Sequence, residues 1–339
     1  MAALVRPFIA YAGALAALAA LLAVAAPAPA GNGGFAPVPP ESPNAEGISQ
    51  SYWFITIFII VIFVLVEGLL LAFVLRYRRR KRARDADGPQ VHGSTRLELI
   101  WTASPVLLLA AIAAFVFVKL PGIQDVPSAS AAGDRLDVRV TGRQFYWEFE
   151  YPNGVIGIDR LVAPQGRPVR LEVTAPDFDV IHSWWIPALG GKIDALPGVV
   201  NETWFQAERT GVFRGQCAEL CGLKHARMFA GVEVLPAAEF DRWLEERREA
   251  QTAGTSDLGD ELWTGVCAKC HGLDGKGGYG PPIENSTLVT DPSAVEILLR
   301  NGLARPGRPV MPPVGKDWAG EQMDAMTDYL EERFGGSSS

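Results

Sequence analysis

Residues 217–228 read Cys217-Ala-Glu-Leu-Cys221-Gly-Leu-Lys-His225-Ala-Arg-Met228. Two thiols, an imidazole and a thioether fall within one loop-length stretch. Upstream, His182 stands in Asp179-Val-Ile-His182-Ser-Trp-Trp. Thiolate and thioether ligands select copper, and imidazole suits it as well. A local disulfide and a tetrahedral Cys2His2 zinc site are the alternatives. Met228 counts against zinc, and a histidine from a separate strand region suits a metal site at the loop end of a β-sandwich. Trp184 and Trp185 would give that metal the dry aromatic surround that tunes a redox centre.

The flanking sequence supports the sandwich. Leu136-Asp-Val-Arg-Val140, Val169-Arg-Leu-Glu-Val173 and Gly231-Val-Glu-Val-Leu235 alternate with period two. Turn signals at Pro152-Asn-Gly154 and Pro164-Gln-Gly166 separate such runs. Many short strands at this spacing predict an all-β domain over residues 134–236. Residues 237–250 predict a helix with Phe240, Trp243 and Leu244 on one face. An Ala/Gly/Thr/Ser linker comes next, completing a segment at 237–257. Treated as flexible, about seven residues span roughly 15 Å and hold the C-terminal region at millimolar effective concentration.

That C-terminal region carries a second centre. Cys267-Ala-Lys-Cys270-His271 is the attachment string for a covalent haem, with His271 as proximal ligand. A thioredoxin-like pair would need a βαβ context, which is missing. Met311, between the prolines of Arg308-Pro-Val-Met311-Pro-Pro, is the expected second axial ligand. Met323 and Met326 lie in the last predicted helix and are expected to pack inside it. Residues 258–334 thus predict a small all-α domain, and 335–339 a disordered tail. The chain has four cysteines, all used by the two motifs, and four histidines, three of them in the motifs. No cysteine remains for a disulfide framework.

The N-terminal third reads as membrane. Hydrophobic residues make up 48% of the 339, high for a wholly soluble protein. Residues 1–30 resemble a cleaved signal peptide, and 31–50 a Gly/Pro-rich irregular segment outside the cytoplasm. Spans are predicted at 51–76 and 99–120, each about the twenty residues a bilayer needs, joined by a cytoplasmic loop at 77–98. The run Arg76-Tyr-Arg-Arg-Arg-Lys-Arg-Ala-Arg84 abuts the first span, so the positive-inside rule explains it without nucleic acid. The rest of a chain with net charge −7 is correspondingly more acidic. The hairpin places both redox motifs on the periplasmic side of a bacterial cytoplasmic membrane. Glu67 falls inside the first span and has no assigned role.

From about residue 50 to 236 the chain resembles subunit II of cytochrome c oxidase, in the haem–copper oxidase family. The matching strings are Asp179-Val-Ile-His182-Ser-Trp-Trp, Lys192-Ile-Asp-Ala-Leu-Pro-Gly198, Gly215-Gln-Cys217-Ala-Glu-Leu-Cys221-Gly and His225-Ala-Arg-Met228. The resemblance implies a cupredoxin fold and binuclear copper A. Cys217 and Cys221 would bridge two coppers, His182 and His225 would each cap one, and Met228 and the Glu219 carbonyl would be weak ligands. The Glu219 side chain would reach a magnesium ion at the contact with subunit I. Glu98, in Thr95-Arg-Leu-Glu98-Leu-Ile-Trp101, matches a glutamate at the entrance of the family's proton pathway; otherwise it is an acid favoured by a helix start.

The segment Gly142-Arg-Gln-Phe145-Tyr146-Trp147 matches the family's electron-accepting aromatics, with Phe145 at the usual tryptophan. Asp177 and Asp179 resemble part of its docking surface. The C-terminal region resembles a class I cytochrome c, including Gly280-Pro281, which in relatives bonds the proximal histidine. The combination resembles caa3-type oxidases.

The expected function is electron transfer from cytochrome c, including the chain's own haem, through copper A to an oxygen-reducing centre in subunit I. Subunit III and a respiratory donor are further expected partners. A stand-alone membrane-tethered electron carrier is the alternative. Nitrous oxide reductase would need a histidine-rich catalytic domain, and quinol-oxidising relatives lose the copper ligands present here.

Overall fold

The computed structural model describes residues 36–77, 90, 92–127, 135–304, 306 and 310–335. The expected signal segment, most of the basic run and tail residues 336–339 lie outside them. The chain divides into two units, Met1–Pro39 and Pro40–Ser339. Of the first, residues 36–39 are described and form neither helix nor strand. Every helix and strand named below belongs to the second.

Two long helices come first, α1 (Pro43–Tyr77) and α2 (Thr95–Gln124). Both are long and apolar enough to cross a membrane. Phe54 stacks on Phe115 with ring centroids 4.0 Å apart, and Lys119 Nζ donates to Gln50 Oε1 at 2.6 Å. Later residues of one helix thus meet earlier residues of the other, an antiparallel hairpin. Glu67 is exposed on α1.

Both helices outrun their predicted bounds. The segment 31–50 is not irregular throughout, because α1 starts at Pro43, and proline suits a first helical turn. Asn44 Nδ2 donates to Trp204 O at 2.5 Å, and Ser42 Oγ accepts from Gln206 N at 3.0 Å. These contacts pin the helix start to the β-domain, and hydropathy cannot register them. In α2 the polar first turn lowers hydropathy, but Ser94 caps it by accepting from Leu97 N at 3.4 Å.

The β-domain has a five-stranded sheet and a three-stranded sheet. The first orders β3 (Ile156–Ile158), β2 (Tyr146–Glu150), β1 (Leu136–Arg143), β5 (Val169–Thr174) and β8 (Asn201–Phe205). The second orders β4 (Arg160–Pro164), β10 (Phe229–Leu235) and β9 (Gly211–Gln216), and β6 (His182–Trp184) pairs with β7 (Ile193–Ala195). β1 runs parallel to β5 and β4 parallel to β10; the other pairs are antiparallel. Alternation decides the faces: Val169, Leu171 and Val173 are buried while Arg170, Glu172 and Thr174 are not. The core adds Val138, Val140, Leu161, Val232 and Val234. Tyr151 ties the sheets together, its hydroxyl donating to Val162 O at 2.7 Å and accepting from Val162 N at 2.8 Å.

Helix α3 (Ala237–Thr252) packs on this sandwich through buried Phe240, whose ring lies 6.4 Å from that of Tyr151. The helical region continues with α4 (Leu258–Leu262), one π turn (Trp263–Cys267), α5 (Ala268–His271), α6 (Pro292–Asn301) and α7 (Gly320–Phe334). Met323 and Met326 are buried in its core beside Leu262, Trp263 and Leu299.

The flexible tether expected at 251–257 is absent. Helix α3 runs to Thr252, and Gly254 N and Thr255 N donate to Gln251 O and Ala250 O, closing a tight turn. The buried Gln251 side chain accepts from Ile156 N at 3.0 Å and donates to Ile156 O at 2.7 Å, extending the sheet at its β3 edge. Tyr146 and Ile158 of the β-domain belong to the hydrophobic core of the helical region. A small, polar composition looks flexible, but it does not register what its neighbours bury.

Candidate functional site

The copper loop is the connection between β9 and β10. Its ends are closed by Cys217 N donating to Met228 O at 2.9 Å, and it is tied to β6 by Ala218 N donating to Ser183 O at 2.9 Å. The one-turn 3-10 helix His225–Arg227 folds His225 back toward the cysteines. Cys221 Sγ is then 3.7 Å from His225 Nδ1, 3.8 Å from Met228 Sδ and 3.9 Å from Cys217 Sγ. Cys217 Sγ is 3.2 Å from the Glu219 carbonyl. Ligand atoms of His182, Cys217 and Cys221 lie within 4.8 Å of one another. The six predicted donor residues therefore converge. The sulfur–sulfur separation is far beyond a bond of about 2.05 Å.

The donor set fits a metal. His182 Nδ1 is buried without a hydrogen-bond partner, an arrangement that costs free energy unless a ligand completes it. The Cys221 thiol, aided by His182, holds the Cys217 thiol down to about 3. The same proximity, with burial, pushes Cys221 above the ordinary thiol range. The pair therefore resists carrying two negative charges at once, and a bound cation would relieve that opposition. Burial disfavours a charged His182, but Asp179 and Cys217 raise its pKa overall. A soft four-residue cluster with a thioether and a backbone carbonyl suits copper better than zinc.

The surround is aromatic, as expected of Trp184, which is buried edge-on to Trp147 at 5.2 Å. Trp185 is half-buried. Asp179 does not serve as an exposed docking acid. Its carboxylate is 8% exposed, lies 3.3 Å from His182 Nε2 and accepts from Gln144 N at 3.0 Å. Asp177 is exposed.

The second site is a cavity of about 740 Å³ lined by Cys267, Cys270, His271, Met311, Tyr279 and Phe145, among others. Its size lies in the range of cofactor pockets. His271 Nδ1 and Pro281 O are 2.7 Å apart. Nδ1 must carry the proton to make that bond, which leaves Nε2 as a lone-pair donor for iron. Met311 is held by a two-bond bridge to Leu303, with N and O each paired at 2.9 Å. Burial pushes the Cys267 thiol up to about 12 and raises Cys270 too. A thioredoxin-type pair would lower them.

Sequence reasoning missed how the two sites meet. Phe145, half-buried, lines the cavity, while Gln144 Nε2 donates to Cys221 O at 2.7 Å. Tyr146 is fully buried in the core of the helical region, accepting from Trp318 Nε1 at 2.8 Å and donating to Val314 O at 3.2 Å. Trp147, also fully buried, lies 6.1 Å from the His182 ring. Arg143 pairs with Glu148 at 3.0 Å and with Asp317 of the helical region. Nothing local in the sequence marks Gln144, Asp317 or Trp318.

Taken together, fold and site define a membrane-anchored cupredoxin carrying a copper site, joined to a c-type cytochrome. The family "Cytochrome C oxidase subunit II, periplasmic domain" matches residues 154–235, its transmembrane domain matches 34–118, and "Cytochrome C oxidase, cbb3-type, subunit III" matches 255–330. Cytochrome c oxidase subunit 2 of Alkalihalophilus pseudofirmus is 33% identical over 306 residues, covering 86% of this chain and 88% of that one. That of Cereibacter sphaeroides is 33% identical, covering 68% and 84%. The crystal structure of the periplasmic domain of subunit II (CoxB) of Bradyrhizobium japonicum is 38% identical, covering 37% of this chain and 97% of that one, with a TM-score of 0.34. The chain belongs to the cytochrome c oxidase subunit II family and carries a C-terminal cytochrome c domain. Membership implies copper A in the first domain and haem c in the second, in a subunit of an oxidase complex anchored by two apolar helices.

Proposed function

We propose that this chain relays electrons from a respiratory donor, through its own haem c and a binuclear copper A, to subunit I, where oxygen is reduced. The observation that carries the reading is the shared turn Gln144–Phe145, which lines the haem cavity with both residues and meets the copper loop through Gln144 Nε2 on Cys221 O and the Phe145 ring on Gly222. When bound, the two groups supply one-electron redox chemistry; the chain supplies position and surroundings. Cys217, Cys221, His182 and His225 would hold the metal, with Met228 and the Glu219 carbonyl as weak ligands. Cys267 and Cys270 would anchor the haem, and His271 and Met311, both lining the cavity, would ligate its iron. Phe145, Tyr146 and Trp147 serve as the electron-entry aromatics, with Phe145 lining the haem cavity and Trp147 6.1 Å from the His182 ring.

Leu220 and Leu223 stand 78% and 61% exposed beside Cys221. Apolar residues grouped at a redox site mark a partner surface, here the face toward subunit I. Magnesium held by the Glu219 side chain, subunit III and the periplasmic orientation complete the assembly. Glu98, in the exposed first turn of α2, serves as the proton-path entrance, and Glu98→Gln should slow oxygen consumption without altering copper or haem content. The domains we assign are a helical hairpin at 43–124, a copper domain at 135–236, a connecting helix and turn at 237–257 and a haem domain at 258–335.

Purified complex should show one covalent haem per chain and a seven-line copper hyperfine pattern in electron paramagnetic resonance. It should also retain a larger polytopic partner. One zinc per chain, or a Cys217–Cys221 bridge in the native protein, would reject the reading. A chain that carries both centres but isolates alone would favour a stand-alone carrier.

A further inference from the structure

Lys269 sits between the haem-attaching cysteines, where attachment itself makes no demand on the side chain. Its ammonium nevertheless turns inward. Nζ donates to Phe145 O at 2.8 Å and to Asp159 Oδ2 at 2.5 Å, and the two side chains are only 13% and 23% exposed. Both acceptors belong to the copper domain.

Asp159 is built to receive it. The residue adopts φ 57°, a left-handed conformation uncommon outside glycine and asparagine. Its Oδ1 accepts from Trp147 N at 2.9 Å, its own N–H donates to Trp147 O at 2.8 Å, and its carbonyl accepts from Gly231 N at 3.1 Å. The residue is therefore fixed to both sheets, and its carboxylate to the first. Burial pushes it toward the neutral form and Lys269 opposes that. Four residues before Lys269, a β-carbon on Gly265 would come within 2.6 Å of Ile158 Cγ2 and 3.2 Å of Asp159 Oδ2. Only a glycine lets the haem-bearing segment approach this closely. The other acceptor, the Phe145 carbonyl, lies in the turn that lines the haem cavity and bonds the copper loop.

We propose that Lys269 is a positioning residue for electron transfer within the chain: shared between the Asp159 carboxylate and the Phe145 carbonyl, its ammonium latches the haem-bearing helix onto the aromatic turn beside Cys221. The inference rests on the assignment of haem c and copper A above. In the step it serves, the haem iron is oxidised by one electron and the copper centre is reduced by one. No bond and no proton moves, so distance and packing between the centres govern the rate.

The test uses the full chain in its complex, comparing wild type with Lys269→Met, Lys269→Arg and Asp159→Asn. Amide hydrogen exchange is monitored over residues 142–147 and 263–271, and re-equilibration of one electron between haem and copper after photoreduction is timed. A charge-assisted contact of this kind shifts a local opening equilibrium by about tenfold or more. Lys269→Met should raise exchange in both segments by about that factor and slow re-equilibration, with haem and copper content unchanged. Asp159→Asn, which lies outside the haem motif, should do the same, and Lys269→Arg should restore part of both. Unchanged exchange and unchanged re-equilibration in Lys269→Met and Asp159→Asn would overturn the latch. A wild-type chain lacking copper or haem would overturn the assignment of the centres instead, and the exchange comparison would still decide the latch.

Discussion

The ring of Phe145 lies against the α-carbon of Gly222, where a β-carbon would meet Cε1 at 3.2 Å and Cζ at 3.4 Å. Gly222 comes directly after Cys221 and has φ +126°, a conformation that side chains rarely adopt. Gly222→Ala adds backbone strain of about 1–3 kcal/mol and pushes on the ring. We expect a lower thermal midpoint and an altered copper hyperfine pattern, read by calorimetry and electron paramagnetic resonance.

Tyr146→Phe removes one hydroxyl and strands the buried Trp318 Nε1 and the partly buried Val314 O. Leaving a buried donor unpaired costs about 1–3 kcal/mol. The variant should keep its haem and copper, unfold that much more easily in denaturant, and expose the boundary between the copper and haem domains to proteolysis.

His182→Ala and Cys221→Ser take away donors of the copper cluster and leave the haem cavity's own lining intact. Copper content should fall sharply in both, with covalent haem still at one per chain. Metal analysis beside a pyridine haemochrome assay checks this.

Met311→Ala should leave the haem attached, because Cys267 and Cys270 form the covalent bonds. Loss of the thioether ligand lowers the reduction potential and abolishes the methionine–iron absorption band. Met323→Ala and Met326→Ala should leave that band in place and destabilise the core by about 2–5 kcal/mol, since both side chains are buried there.

Chemistry is legible where it is local in sequence. Cys217, Cys221, His225 and Met228 sit in one hairpin connection, so their spacing alone brings them near one point, and the haem motif occupies a single helical turn. Strand alternation at 136–140, 169–173 and 231–235 likewise reports its own buried face. Element limits are less legible. Pro43 begins a helix because Ser42 and Asn44 are held by residues some 160 positions away, and no window of hydropathy spans that distance. The Gly/Thr/Ser-rich stretch after α3 reads as mobile for the same reason.

The sequence by itself determined the two clusters of donor side chains, the pair of long apolar helices and the sandwich, because each is encoded by neighbours along the chain through spacing and periodicity. Tertiary structure alone decided that the haem domain is docked. Lys269 with Asp159, Tyr146 with Trp318 and Arg143 with Asp317 are contacts between residues more than a hundred positions apart. Each such residue reads individually as an ordinary lysine, aromatic or acid. Only when burial withdraws water does its choice of partner become energetically costly to change, and that choice sets the separation of the two centres.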